Sequence, residues 1–202
     1  TVSPDQLWYG DFIFADANGA KNYGNEDDKN FNGPSSTPSC NLGINLGFSW
    51  KGLDFSMIWS GAFGFNIYWA TNYYNATNVT WGYGISKKIA DDHYFYDPEN
   101  PSDSRTNIYA TYPRLYKGAD RNRQTSDFYS YKGDHMKLKN VQLGYTLPQN
   151  LTKKFFVQQL RFFVSGENLL TISKFPGMDP ELGSTIGYPL MRQVSLGAQI
   201  TF

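Results

Sequence analysis

At 202 residues, with 18 basic and 18 acidic side chains, the chain has no net charge, so nothing draws it electrostatically to nucleic acid or to an anionic surface. The single cysteine, Cys40, excludes an internal disulfide framework, and no apolar run is long enough to cross a bilayer as a helix. Aromatic residues make up 17% of the chain beside 19 glycines, a balance that favours strands and ring-rich loops over helices.

Residues 1–40 are predicted to be irregular. Neither an initiator Met nor a signal peptide stands at the start, so the numbering is expected to begin inside a longer chain. Trp8, Tyr9, Phe12 and Phe14 lead into DANGAKNYGNEDDKNFNGPSSTPS, which is turn and loop chemistry throughout. Asp16 and Asn18 alternate as the oxygen ligands of a calcium loop do, but Ala20 stands where a third ligand belongs and no glutamate closes the loop. A plain Asn/Gly turn is the favoured reading, with a structural calcium as the alternative. No other metal or cofactor is expected.

A period of two then begins. Leu42, Ile44, Leu46, Phe48 and Trp50 alternate with Asn41, Gly43, Asn45, Gly47 and Ser49. Lys51-Gly52 reads as a two-residue turn, after which Leu53, Phe55, Met57 and Trp59 alternate with Asp54, Ser56 and Ser60, Ile58 being the apolar exception. Strands of this kind rise about 25 Å when tilted near 45°, the height of the apolar band of a membrane barrel.

Residues 61–135 show no sustained period and concentrate rings, among them Trp69, Tyr73, Trp81 and Tyr83. A connection this long is foreign to a compact soluble domain unless it is functional. Rings flanked by Asn and Thr are expected to be exposed, and these four are the candidates for contact with a solute or a partner. The competing reading is that such rings pack on one another.

Three more strands are predicted. Val141, Leu143, Tyr145 and Leu147 share one parity, with Lys137 and Lys139 on the same side; those two lysines are expected to stand above the hydrocarbon, where charge is tolerated. Leu160, Phe162 and Val164 alternate with Arg161, Ser165 and Glu167, with Phe163 an exception. Residues 171–191 form a loop, and residues 192–202 a last strand with Val194, Leu196, Ala198, Ile200 and Phe202 on one side. The fold class is therefore all-β: about five strands of a large antiparallel transmembrane barrel, with residues 1–40 an extracellular loop segment and residues 41–202 the strands.

With Phe202 at a periplasmic rim, the short connections at 51–52 and 148–158 fall on that side and the long segments 1–40, 61–135 and 171–191 on the other. This is the asymmetry of outer-membrane barrels. It also gathers Trp50, Tyr145, Phe155, Phe156 and Phe202 at one interface, as an aromatic girdle requires. Five strands cannot close, so more sheet is expected at both edges.

Other chemistry is poorly supplied. His93 beside Asp91 and Asp92, and the distant His135, do not make the three or four ligands of a zinc site. Asp97 and Glu99 have no partner across a cleft, and the nucleophile-elbow, phosphate-loop and zinc-protease motifs are absent from the sequence, so no enzyme is predicted. Asn75, Asn78 and Asn150 open sequons of the kind that arise by chance in Asn-rich loops. Two functional classes stand: a segment of a transporter barrel, or a soluble β-sandwich that binds carbohydrate through its rings. A plug-less diffusion porin is a variant of the first.

The runs DHMKLKNVQLGYTLP, LRFFVSGENLLTISKFPGMDPELG and GYPLMRQVSLGAQITF, with GDFIFADANG and GFSWKGLDFSMIWSGAFGFNIY before them, resemble the C-terminal part of SusC/RagA-like TonB-dependent transporters. The front loop departs from the family's fuller DxNGDG, reading DANGAK here. The resemblance implies a 22-stranded barrel in the cell outer membrane, surrounded by outer-membrane lipid, that imports a nutrient such as an oligosaccharide or a peptide. It also implies a SusD-like surface lipoprotein as partner, with a plug and a segment engaging the TonB complex upstream of residue 1. Phe202 resembles the terminal aromatic that the barrel assembly machinery recognises, which makes it the candidate assembly signal.

Overall fold

A computed structural model describes residues 7–21, 26–30, 33–69, 85–115, 122, 124, 126–185, 187–188 and 190–202. The chain divides into two compact units, one of Thr1–Gly33 with Tyr68–Ser130 and one of Pro34–Ile67 with Tyr131–Phe202.

The second unit holds a five-stranded antiparallel sheet. Its strands are β1 (Cys40–Trp50), β2 (Leu53–Phe63), β5 (His135–Thr146), β6 (Gln159–Ser173) and β7 (Gln193–Thr201), in the spatial order β1-β2-β5-β6-β7. A separate two-stranded ribbon pairs β3 (Asn66–Tyr68) with β4 (Ser130–Lys132). Lys51 and Gly52 both take positive φ, 48° and 88°, the geometry of a two-residue turn whose twist matches that of the strands it joins. Gly52 is required twice over, because a Cβ there would stand 2.5 Å from the Thr146 carbonyl oxygen. Its own carbonyl accepts the Thr146 N–H at 2.7 Å, so the turn is tied to β5.

Cross-strand pairs share a face, so the register assigns every side chain. Phe48 pairs with Phe55, Phe55 with Leu143, Leu143 with Val164 and Val164 with Leu196, one row of the apolar face running across all five strands. Ser49, Asp54, Gly144, Phe163 and Gly197 form a row of the opposite face. The apolar face is open: Leu196 is 84% exposed and Val194 68%. An apolar surface of this extent is stable only against another apolar phase.

The rims also sort as the sequence predicts. The 51–52 turn and the 147–158 connection, with its short helix α2 (Gln149–Thr152), leave from the same ends of the strands as Thr201. The long segments after β2 and β6 leave from the other ends. Trp50, Tyr145, Phe155, Phe156 and Phe202 all lie exposed at or near the short-turn rim, as expected of a girdle.

One expectation fails. Ile58 pairs with Asn140 and Trp59 with Leu138, so Lys139 is an unpaired extra residue on β5. A matching irregularity on β6 opposes it, where Asn168 takes a φ of 51°. This bulge reverses the parity of everything before it. Met136 and Leu138 therefore take the apolar face, while Lys137 pairs with Ser60 and Thr171 on the polar one. Lys137 does not stand above the hydrocarbon on the apolar side; it is buried on the polar face with 1% exposure.

In the first unit, Phe12, Phe128 and Tyr129 pack ring on ring, with centroids 4.7 Å apart for Phe12–Phe128 and 5.0 Å for Phe128–Tyr129. Tyr68 and Tyr112 extend the cluster edge-on. A short helix, α1 (Lys87–Asp91), is capped by the Ser86 hydroxyl and buries Ile89. Asp11 joins the front of the chain to a site about a hundred residues on: its carboxylate accepts from Arg114 Nε at 2.6 Å and Nη2 at 2.9 Å, and from Asn122 Nδ2 at 3.0 Å.

Candidate functional site

The polar face carries two charged constellations. Near the short-turn rim, Asp54 on β2 accepts from Arg161 Nε on β6 at 3.0 Å and from Nη2 at 2.5 Å. The intervening strand offers Gly144 between them, where a Cβ would lie 2.6 Å from both Asp54 carboxylate oxygens. With its amide oxygen turned toward the guanidinium, Gln142 also accepts from Arg161 Nη2 at 2.7 Å. Arg161 stacks over the Phe163 ring, 5.1 Å from its centroid, so Phe163 serves as a platform for the cation on this face.

Near the long-loop rim, Lys137 Nζ donates to Asp179 Oδ1 at 2.8 Å, Asp179 Oδ2 at 2.6 Å and Glu181 Oε2 at 2.9 Å. Lys139 Nζ donates to the same Glu181 oxygen at 2.6 Å. His135 Nδ1 is bonded to the Gly133 carbonyl, and its Nε2 stands 4.0 Å from Glu181 Oε1. Burial alone would push the Glu181 carboxyl up, but the two lysines donating to it outweigh that and hold it below its usual range. The residues on both sides of this cluster were visible in the sequence as KLK and DPE. Their meeting was not, because parity counted straight through the bulge puts Lys137 on the wrong face.

Asp16 Oδ1 and Oδ2 accept the N–H groups of Ala20 and Lys21, and Asn18 Oδ1 accepts that of Ala20 at 2.8 Å, which is an Asx-type turn. Among the described residues no three His, Cys, Asp or Glu side chains group to hold a metal. Asp91 pairs with Lys87, Asp92 accepts from Thr111, and His93 is bonded to the Ala90 carbonyl, so these three neighbours in sequence diverge in space. Asp97 accepts the Glu99 N–H within a turn. Trp69 is half-buried directly after β3, its N–H donating to the Tyr129 carbonyl at 2.8 Å. Tyr73, Trp81 and Tyr83 lie outside the described residues.

A sheet with one open apolar face, one polar face and its long connections on a single rim is the wall of an outer-membrane β-barrel, not closed within these five strands. Among the described residues no helix is long and apolar enough to cross a membrane. No family model matches the chain. TonB-dependent receptor P3 of Formosa agariphila is 29% identical over 205 residues, which cover 94% of this chain and 19% of the relative. TonB-dependent receptor P26 of the same organism is 28% identical over 186 residues, covering 83% and 17%. The structure of the RagAB peptide importer in its open-open state is similar with a TM-score of 0.58 and 26% identity, covering 84% of this chain and 18% of that one. The RagAB peptide transporter gives a TM-score of 0.62 at 25% identity over the same shares. The chain is thus similar to one segment of TonB-dependent receptors and of the RagAB importer, and it spans about a fifth of the length of the relatives it matches.

Proposed function

We propose that this segment forms part of the wall and the outer loops of an importer that carries a nutrient, an oligosaccharide or a peptide, across the outer membrane. The observation that carries the reading is the open apolar face of the sheet, backed by a polar face that carries the Lys137–Asp179 and Arg161–Asp54 pairs. That arrangement suits lipid on one side and a hydrated passage on the other. It disfavours the soluble sandwich, whose sheets would each need a covering layer. The relatives' names, receptors that depend on TonB, favour an energised importer over a plug-less porin.

On this reading the segments 1–40, 61–135 and 171–191 are extracellular, and a SusD-like surface lipoprotein closes over them. The RagAB importer bears a name of two components, which supports a two-protein arrangement. Trp69, Tyr73, Trp81 and Tyr83 are the rings we assign to contact with the solute or the lipoprotein. The test replaces each by Ala in the full transporter and compares uptake of labelled peptides and oligosaccharides, lipoprotein capture and barrel thermal stability. Loss of uptake or capture at unchanged stability supports contact. Loss only in step with stability would mean that the rings pack, as Phe12, Phe128 and Tyr129 do, and the assignment would fall.

A further inference from the structure

The connection after β6 does not simply leave the rim. Phe175 is buried, its N–H donates to the Ser173 hydroxyl, and its ring meets Tyr131 edge-on. Pro180 is buried as well, between the two acidic residues that hold Lys137. Lys137 stands on the polar face two residues into β5 from its long-loop end, so Asp179 and Glu181 must come down over that face to reach it. A lysine with 1% exposure is tolerated only when its charge is matched, and here three acceptor oxygens surround it. The Asp179 carboxylate also accepts the Glu181 N–H at 2.8 Å, which fixes the turn that presents both acids.

We infer that residues 174–185 are a strap folded back into the mouth of the barrel and fastened to its inner wall by Lys137. The inference rests on the reading that the polar face lines the passage. Lys139 touches the strap only from the bulge, through Glu181, and is an accessory to the fastening. A solute entering from outside meets the strap before it meets the Asp54–Arg161 pair nearer the other rim. The strap therefore sets the width available on this side of the mouth, and Lys137 is the residue that holds it there.

The test uses the full transporter in whole cells, with Ser184→Cys as the reporter and other reactive cysteines, Cys40 included, replaced. Labelling by a small membrane-impermeant maleimide is compared with labelling by a maleimide on a polyethylene glycol chain of about 5 kDa. Ser184→Cys is expected to react with the small reagent at least tenfold faster than with the large one. Lys137→Met should remove that size discrimination, while Lys137→Arg and Lys139→Met should largely keep it. Should Lys137→Met reach the membrane poorly, Lys137→Met with Asp179→Asn and Glu181→Gln removes the whole cluster without leaving a buried charge, and it should also lose discrimination. Equal labelling by both reagents in the parent would overturn the strap while leaving the outward side of the loop intact. Discrimination that survives both the single and the triple change would overturn the role of Lys137. Labelling by neither reagent in intact cells, with labelling by both after lysis, would overturn the membrane orientation and the strap together.

Discussion

Arg161 and Asp54 hold each other across a strand to which neither belongs. They sit on β6 and β2, 107 residues apart in sequence, and the guanidinium reaches the carboxylate over Gly144 of β5. The glycine makes the pairing possible, since a Cβ there would press on both partners. The pair thus laces three strands together on the polar face.

Gly144→Ala should displace the pair and cost about 1–3 kcal/mol, the range for forcing a methyl into a filled site. Gly43→Ala, at a glycine of the same face of β1 with nothing within 4 Å, should cost far less. Combining Gly144→Ala with Asp54→Ala isolates the cause through a double-mutant cycle on the unfolding of the full barrel. Strict additivity would show that the glycine matters for some other reason.

The two faces predict opposite tolerance to charge in β7. Leu196→Arg, on the open apolar face, should lower barrel stability by about 2–4 kcal/mol if it stands near the bilayer midplane. Ser195→Arg, one residue away on the polar face, should be nearly silent. Folded protein in the membrane, read by heat-modifiable migration, gives the comparison. Equal losses would mean that the faces are assigned wrongly.

The Lys51-Gly52 turn tolerates little. Gly52→Ala adds a side chain at a φ of 88° and drives it to 2.5 Å from a backbone oxygen that cannot retreat without moving β5. A loss of about 1–3 kcal/mol follows from the two penalties together. Lys51→Gly, which relaxes the other positive φ, should be neutral or slightly favourable on thermal unfolding.

The first unit should loosen in acid. Burial alone would raise the Asp11 carboxyl, but the bonds from Arg114, the Trp8 N–H and Asn122 prevail and hold it below the ordinary aspartate range. A depressed folded value means that its contribution is present in full above the ordinary aspartate range and disappears as pH falls through the folded value. Hydrogen exchange at Phe12, whose N–H donates to Asn122 Oδ1 at 2.9 Å, should stay slow from neutrality down to about pH 4 and quicken below it. Asp11→Asn should make exchange there fast at neutral pH and remove this acid transition.

The period of two in residues 41–60, 140–147, 160–167 and 192–202 was enough to determine the strands, the two faces of each and the sorting of short and long connections onto opposite rims. Alternation is a local property of an extended chain, and every residue in such a run reports on it. The Asx-type turn at Asp16 and Asn18 was legible for the same reason, its partners lying within five residues. Only the tertiary structure decided which side Lys137 takes, because the parity of a strand survives only until the first bulge, and the unpaired Lys139 carries no residue signature that separates it from its neighbours. Only it brought Asp179 and Glu181 to Lys137, Arg161 to Asp54 and Arg114 to Asp11. These unions span 42 to 107 residues of sequence, and nothing in the local pattern of either partner names the other. They form where the register and the returning loops place opposite charges in a site partly closed to water, where leaving either charge alone would be costly.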